Sequence, residues 1–130
     1  MSRALLISLA TVASLASATS GAMACNLNGD FMVVFQSNHT VATFNHITQN
    51  GWDLDGLAKF NNVRGDFRGV LESSGRFNVT VDWDDGSHGV YTAFITEDGR
   101  VFDGRTYDRN NKANFATWGI GAEQNRLQCG

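Results

Sequence analysis

The densest chemistry in the chain lies in Asp82-Trp83-Asp84-Asp85-Gly86-Ser87, where carboxylates and a hydroxyl surround an indole. Carboxylates this close raise the question of a calcium loop. An EF-hand loop needs acids at positions one, three and five and a later bidentate Glu. This hexapeptide lacks that pattern and reads as a solvated hairpin tip, as does Asp53-Leu54-Asp55-Gly56. His39, His46 and His88 show no H-x-x-x-H spacing, so no metal site is expected. Ser and His occur, but no G-x-S-x-G nucleophile elbow does. Nothing selects the carboxylates Asp103 and Asp108 for acid–base work. Alternation puts Asp103, Arg105 and Tyr107 on one face, which reads as a charged outer wall with cross-strand pairs. A non-enzymatic protein without cofactors is therefore expected. Asn38-His39-Thr40 and Asn78-Val79-Thr80 are glycosylation sequons, meaningful only in a eukaryotic host.

Trp83 and Trp118 are the stronger candidates, for binding rather than for catalysis. Aromatic walls give a small ligand a large apolar contact. The same side chains serve equally well as core filling, and the sequence leaves both readings open. Phe77, Val79 and Val81 read as plain packing.

Strands must position these residues. In RFNVTVDW, Phe77, Val79, Val81 and Trp83 face one way while Asn78, Thr80 and Asp82 face the other. That period of two marks a strand with one buried and one wet face. Asn50-Gly51, Ser74-Gly75, Asp85-Gly86 and Asp98-Gly99 supply the positive φ of tight hairpins. Gly65 and Asn110-Asn111 mark further breaks. About eight runs lie between such signals: FMVVFQ, TVATFNHI, WDLDGLAKF, VRGDFRGVL, RFNVTVDW, HGVYTAFIT, RVFDGRTYD and KANFATW. The fold class expected is all-β, an antiparallel up-and-down meander closed into a barrel, because an open sheet of this length would leave two raw edges. Gly56, Gly69, Gly89 and Gly104 fall inside the runs and are expected at kinks and bulges.

Residues 1–24 read as a secretory signal peptide. Arg3 gives a positive start, ALLISLATVASLASA an apolar stretch, and Ala22-Met23-Ala24 a cleavage site. Residues 25–130 then form a single domain, expected to be secreted into an extracellular or periplasmic space. The chain has two cysteines, Cys25 and Cys129. In an oxidising compartment two cysteines usually pair. A bridge here would close almost the whole domain and demand that its termini meet, as the ends of a closed meander do. The alternative is a lipoprotein cysteine at position 25, acylated at a membrane, which would leave Cys129 without a partner. A net charge of −3 with no basic run argues against nucleic acid and anionic membrane surfaces as partners.

The segment CNLNGDFMVVFQSNHTV resembles the opening of avidin-like barrels. Leu27, Gly29 and Phe31 fit a Leu-x-Gly-x-Trp start with Phe in place of Trp. Ser37, Asn38, Thr40 and Val41 fit the Ser-Asn-x-Thr-hydrophobic segment that follows. FNVTVDW looks like the family's Phe-Thr-Val-x-Trp strand with Trp83 in place, VYTAF matches the next strand, and FATW resembles the Thr-x-Trp strand with Trp118 in place. The resemblance runs in order and spacing over most of residues 25–130, and a calycin or lipocalin-type barrel is the broader alternative. The half from GSHGVYT to ANFATW is also similar to secreted bacterial proteins with a G-x-T-Y-D segment, a similarity that brings no function.

The avidin-like resemblance implies a site in which polar side chains of the first three strands and the fifth-to-sixth loop hold a ureido group. Carried over, Ser37 and Ser87 keep such side chains. The first-strand Asn falls on Val33, the third-strand Tyr on Ala58 and the sixth-strand Thr on Gly89. The late lid Trp has no counterpart in GIGAEQNRLQCG. Each buried polar group left unpaired costs about 1–3 kcal/mol, so tight biotin binding is not expected. The family's N-terminal Cys pairs with a mid-chain strand, whereas here the available partner is Cys129. The expected function is a secreted, non-enzymatic barrel binding a small ligand other than biotin, with Ser37, Trp83, Ser87 and Trp118 at the site. The alternative is a secreted protein-binding module, an inhibitor or effector, with a packed core.

Overall fold

The computed structural model describes residues 24–121 and 126–130, and all but the last residue of the expected leader, residues 1–24, lies outside them. Eight strands follow in chain order: β1 (Met32–Gln36), β2 (Val41–Asn50), β3 (Asp53–Phe60), β4 (Val63–Leu71), β5 (Arg76–Trp83), β6 (His88–Ile95), β7 (Val101–Asp108) and β8 (Asn111–Ile120). Each pairs antiparallel with the next, and β8 pairs back onto β1. The result is a closed up-and-down barrel.

The alternation in the sequence fixes which side chains point inward. Met32 and Val34, Ala42 and Phe44, Phe77, Val79 and Val81 are all buried. The hairpin dipeptides act as expected: Gly51, Gly75, Gly86 and Gly99 all have positive φ. The break expected at Gly65 is not there. That residue lies within β4, and Asn61, at φ 55°, makes the preceding turn.

One bulge falls at a strand glycine, Gly104 in β7, and another falls in β2 away from any glycine of that strand. Between Asn45↔Leu57 and Thr48↔Asp55 an extra residue enters β2. His46, at φ 51°, absorbs it and turns outward, and the phase resets so that Ile47 is buried. The β6–β7 register shifts in the same way beside Asp103, at φ 56°. Gly56 and Gly104 also make room for rings. A Cβ on Gly56 would stand 2.6 Å from the Phe67 ring, and one on Gly104 would stand 2.2 Å from the Trp118 carbonyl oxygen and 2.7 Å from its indole.

The barrel has a closed end and an open end. At the closed end Cys25, Leu27, Ile47, Ile95 and Leu127 are buried together. Cys25 and Cys129 form a disulfide with their Cα atoms 4.6 Å apart. For a loop of this length the chain-entropy model gives about 4–5 kcal/mol of stabilisation. Asp30 reinforces the clasp: its Oδ2 accepts the backbone N–H of Gln128 at 3.0 Å and of Cys129 at 3.3 Å. Leu27 N–H donates to Gln49 Oε1, and Leu127 N–H to the Gly99 carbonyl. Above this plug the interior fills with aromatic rings. Phe44 stacks on Phe67 at 5.1 Å and meets Tyr91 edge-on at 5.1 Å, while Trp118 lies 6.1 Å from Phe77 and 6.2 Å from Tyr91.

Two substitutions check this arrangement. Asp30→Ala, with the disulfide intact, orphans two N–H groups beside the buried plug and should cost about 1–3 kcal/mol in urea unfolding. Gly104→Ala drives a methyl into the backbone of Trp118 and should cost a similar 1–3 kcal/mol. Gly119→Ala, whose Cβ would meet nothing within 4 Å, should be close to neutral in the same measurement.

Candidate functional site

The upper ends of β1, β3, β5 and β7 deliver Gln36, Phe60, Trp83 and Asp108 to the open end, and the hairpins there leave a cup of about 190 Å³. The lining is small or polar where the lower layer is bulky: Thr40, Gly89, Thr106 and Ala116 face the space that rings occupy further down. That change in side-chain size is what keeps the mouth open. A cavity of 150 Å³ accommodates benzene, whereas drug-sized ligands occupy about 300–1,000 Å³. The cup thus matches a molecule of about one ring.

Trp83 forms the wall. Its ring packs 6.2 Å from Phe60 and is seated between two glycines. A Cβ on Gly65 would stand 3.0 Å from the indole carbon Cε3, and one on Gly89 would stand 3.2 Å from the indole nitrogen. Among the described residues that indole N–H has no hydrogen-bond acceptor. Trp118 differs on both counts. Its Nε1 donates to the Arg105 carbonyl at 3.0 Å, and it is buried in the aromatic stack outside the lining. The two tryptophans, equivalent as sequence candidates, therefore occupy different layers.

The serines also separate. Ser87 lines the cup, but its hydroxyl and N–H both donate to Asp85 Oδ1, at 2.6 and 3.0 Å. These bonds, the hydroxyl's first, hold the Asp85 carboxyl below its ordinary range. Ser37 is exposed, is not part of the lining, and bonds the backbone of β8: its Oγ accepts Thr117 N–H at 3.0 Å and its N–H donates to the Thr117 carbonyl. Of the positions implied by the resemblance, Val33 lies on the outward phase of β1 between buried Met32 and Val34. Ala58 is buried, and Gly89 lies on the cup without a side chain to offer.

The floor holds residues that sequence reasoning did not single out. Tyr91 is buried, with its hydroxyl 3.5 Å from Gln36 Oε1 and Thr106 as a second partner. Gln36 Nε2 in turn donates to Thr40 Oγ1 at 2.8 Å. Burial pushes the Tyr91 phenol above its ordinary value near 10, outweighing the Thr106 bond, so at neutral pH it is a protonated donor. Thr106 and Asp108 were within reach of the same alternation that put Arg105 and Tyr107 outside. In HGVYTAF both Val90 and Tyr91 are apolar, which hid the phase. Arg105 pairs with Asp103 at 3.3 Å on the exposed wall, along β7 rather than across strands. His88 lines the cup with its Nδ1 2.6 Å from Asp82, while His39 and His46 are exposed. No three His, Cys, Asp or Glu side chains among the described residues come together as metal ligands would.

The raised phenol has a measurable consequence. A group whose folded pKa exceeds its unfolded one contributes stability present below the unfolded value and lost as pH rises through the folded one. Stability should therefore fall above about pH 10, the ordinary phenol value. The chain has two tyrosines. In an absorbance titration at 295 nm a late tyrosinate step should appear, and Tyr91→Phe should abolish it. No family model, curated protein or solved structure matches the chain.

Proposed function

We propose that this protein is a secreted, non-enzymatic binding barrel of avidin or calycin type that holds a small, partly apolar ligand in the cup at its open end. The single observation that supports this reading is the half-buried Trp83 standing beside a polar floor with its indole N–H unbonded among the described residues. Core tryptophans satisfy that donor, as Trp118 does. The disulfide fits an oxidising compartment, extracellular or periplasmic. The lining offers neutral donors and acceptors for orientation and an aromatic wall for contact, the usual division of labour in a small-molecule site. Biotin remains a poor candidate in this reading, because Ala58 and Gly89 give a ureido group nothing to bond.

A second reading is a protein-binding module, favoured by the outer wall. Phe94 and Phe102 face each other across β6 and β7, 46% and 54% exposed, and Phe115 on β8 is 69% exposed. Tryptophan fluorescence separates the two readings. The protein lacking residues 1–24 is titrated with single-ring compounds. A blue shift or quenching is expected, retained in Trp52→Phe, which removes the exposed emitter at the closed end, and lost in Trp83→Phe. A flat response across the compounds would overturn the cup reading and leave the outer wall.

A further inference from the structure

We infer that the cup takes a small organic cation, an ammonium group carried on an apolar body, in preference to an anion of the same shape. This rests on the cup being a ligand site, and it follows from the charges and faces around it. Two carboxylates, Asp85 and Asp108, stand on the lining from different hairpins, and no Lys or Arg belongs to it. Both are held in place, Asp85 by Ser87 on the cup and Asp108 by the Asn110 N–H at 2.8 Å. His88 is the one lining residue able to become positive, and its ring is bonded to Asp82, whose charge would balance it. Below the carboxylates lie Trp83 and Phe60, and aromatic faces attract cations through their quadrupole.

Lys112, which is not a lining residue, places its Nζ 5.9 Å from the centre of the Tyr107 ring. For an anion the cup offers the Tyr91 hydroxyl, the Trp83 N–H and other neutral donors, set beneath two negative charges. The negative net charge of the chain steers cations toward the mouth as well. Phenethylamine combines an ammonium with one ring, the size the cup admits.

The test uses three matched probes, phenethylamine, 2-phenylethanol and 3-phenylpropionate, titrated calorimetrically into the protein lacking residues 1–24. The amine should bind at least tenfold more tightly than the alcohol, and the acid should bind more weakly than both. Asp85→Asn and Asp108→Asn keep side-chain shape while removing charge. Together they should bring the amine to within about threefold of the alcohol. Binding of the alcohol or the acid as tight as that of the amine would overturn the cation preference while leaving the cup as a site. So would a preference that survives the double variant. Heat from none of the three would overturn the preference and the cup together.

Discussion

A meander becomes a barrel only where its first strand finds its last, and here that seam is the shortest in the sheet. β1 meets β8 through Val34↔Ile120, Phe35↔Gly119 and Gln36↔Trp118. The longest pairing, between β3 and β4, runs from Asp53↔Val70 to Phe60↔Val63. Sheet edges left unpaired invite association with other chains, so the seam decides whether this is a closed molecule. It is reinforced at both ends. Ser37 adds a rung by bonding Thr117 with its side chain and its N–H. At the other end Asp30 and the disulfide tie the segment before β1 to the segment after β8.

Closure also sets what the interior can hold. A barrel of eight strands has room for a layer of side chains or for one small ligand. This one uses both options at different heights. Phe44, Phe67, Tyr91, Phe77 and Trp118 fill the middle, and glycines on the facing strands give the rings their space. Toward the mouth several facing positions shrink to Thr, Ala and Gly. Tyr91 belongs to both levels, with its ring in the stack and its hydroxyl on the floor of the cup.

Most of the architecture was legible because strand alternation and turn chemistry are local signals. RFNVTVDW shows its buried face without help, and four turn glycines sit where a positive φ is required. The bulges were less legible, Gly104 alone marking the one in β7, for the opposite reason. His46 and Asp103 adopt positive φ although nothing in their side chains demands it; tertiary register puts them there. Gly104 looked like a kink because a strand glycine is costly, and its reason, the indole of Trp118, arrives from a neighbouring strand. The site was half legible. Trp83 and Ser87 stand on the cup, whereas Ser37 and Trp118 serve the seam and the stack. Gln36 went unread because a polar residue at the end of a strand has the same local pattern whether it caps a core or lines a mouth, and Tyr91 because the apolar Val90 beside it hid the phase of β6.

The disulfide carries one more consequence, a mechanical one. With Cys25 bonded to Cys129, a load applied through chain that precedes the first and follows the second passes across a single covalent link. The sheet between them lies off the line of force. Hydrogen-bonded strands normally shear or unzip when a domain is stretched by its ends. Here tension would reach the S–S bond while the β1–β8 seam stays unloaded, and the cup at the far end would keep its shape under pull.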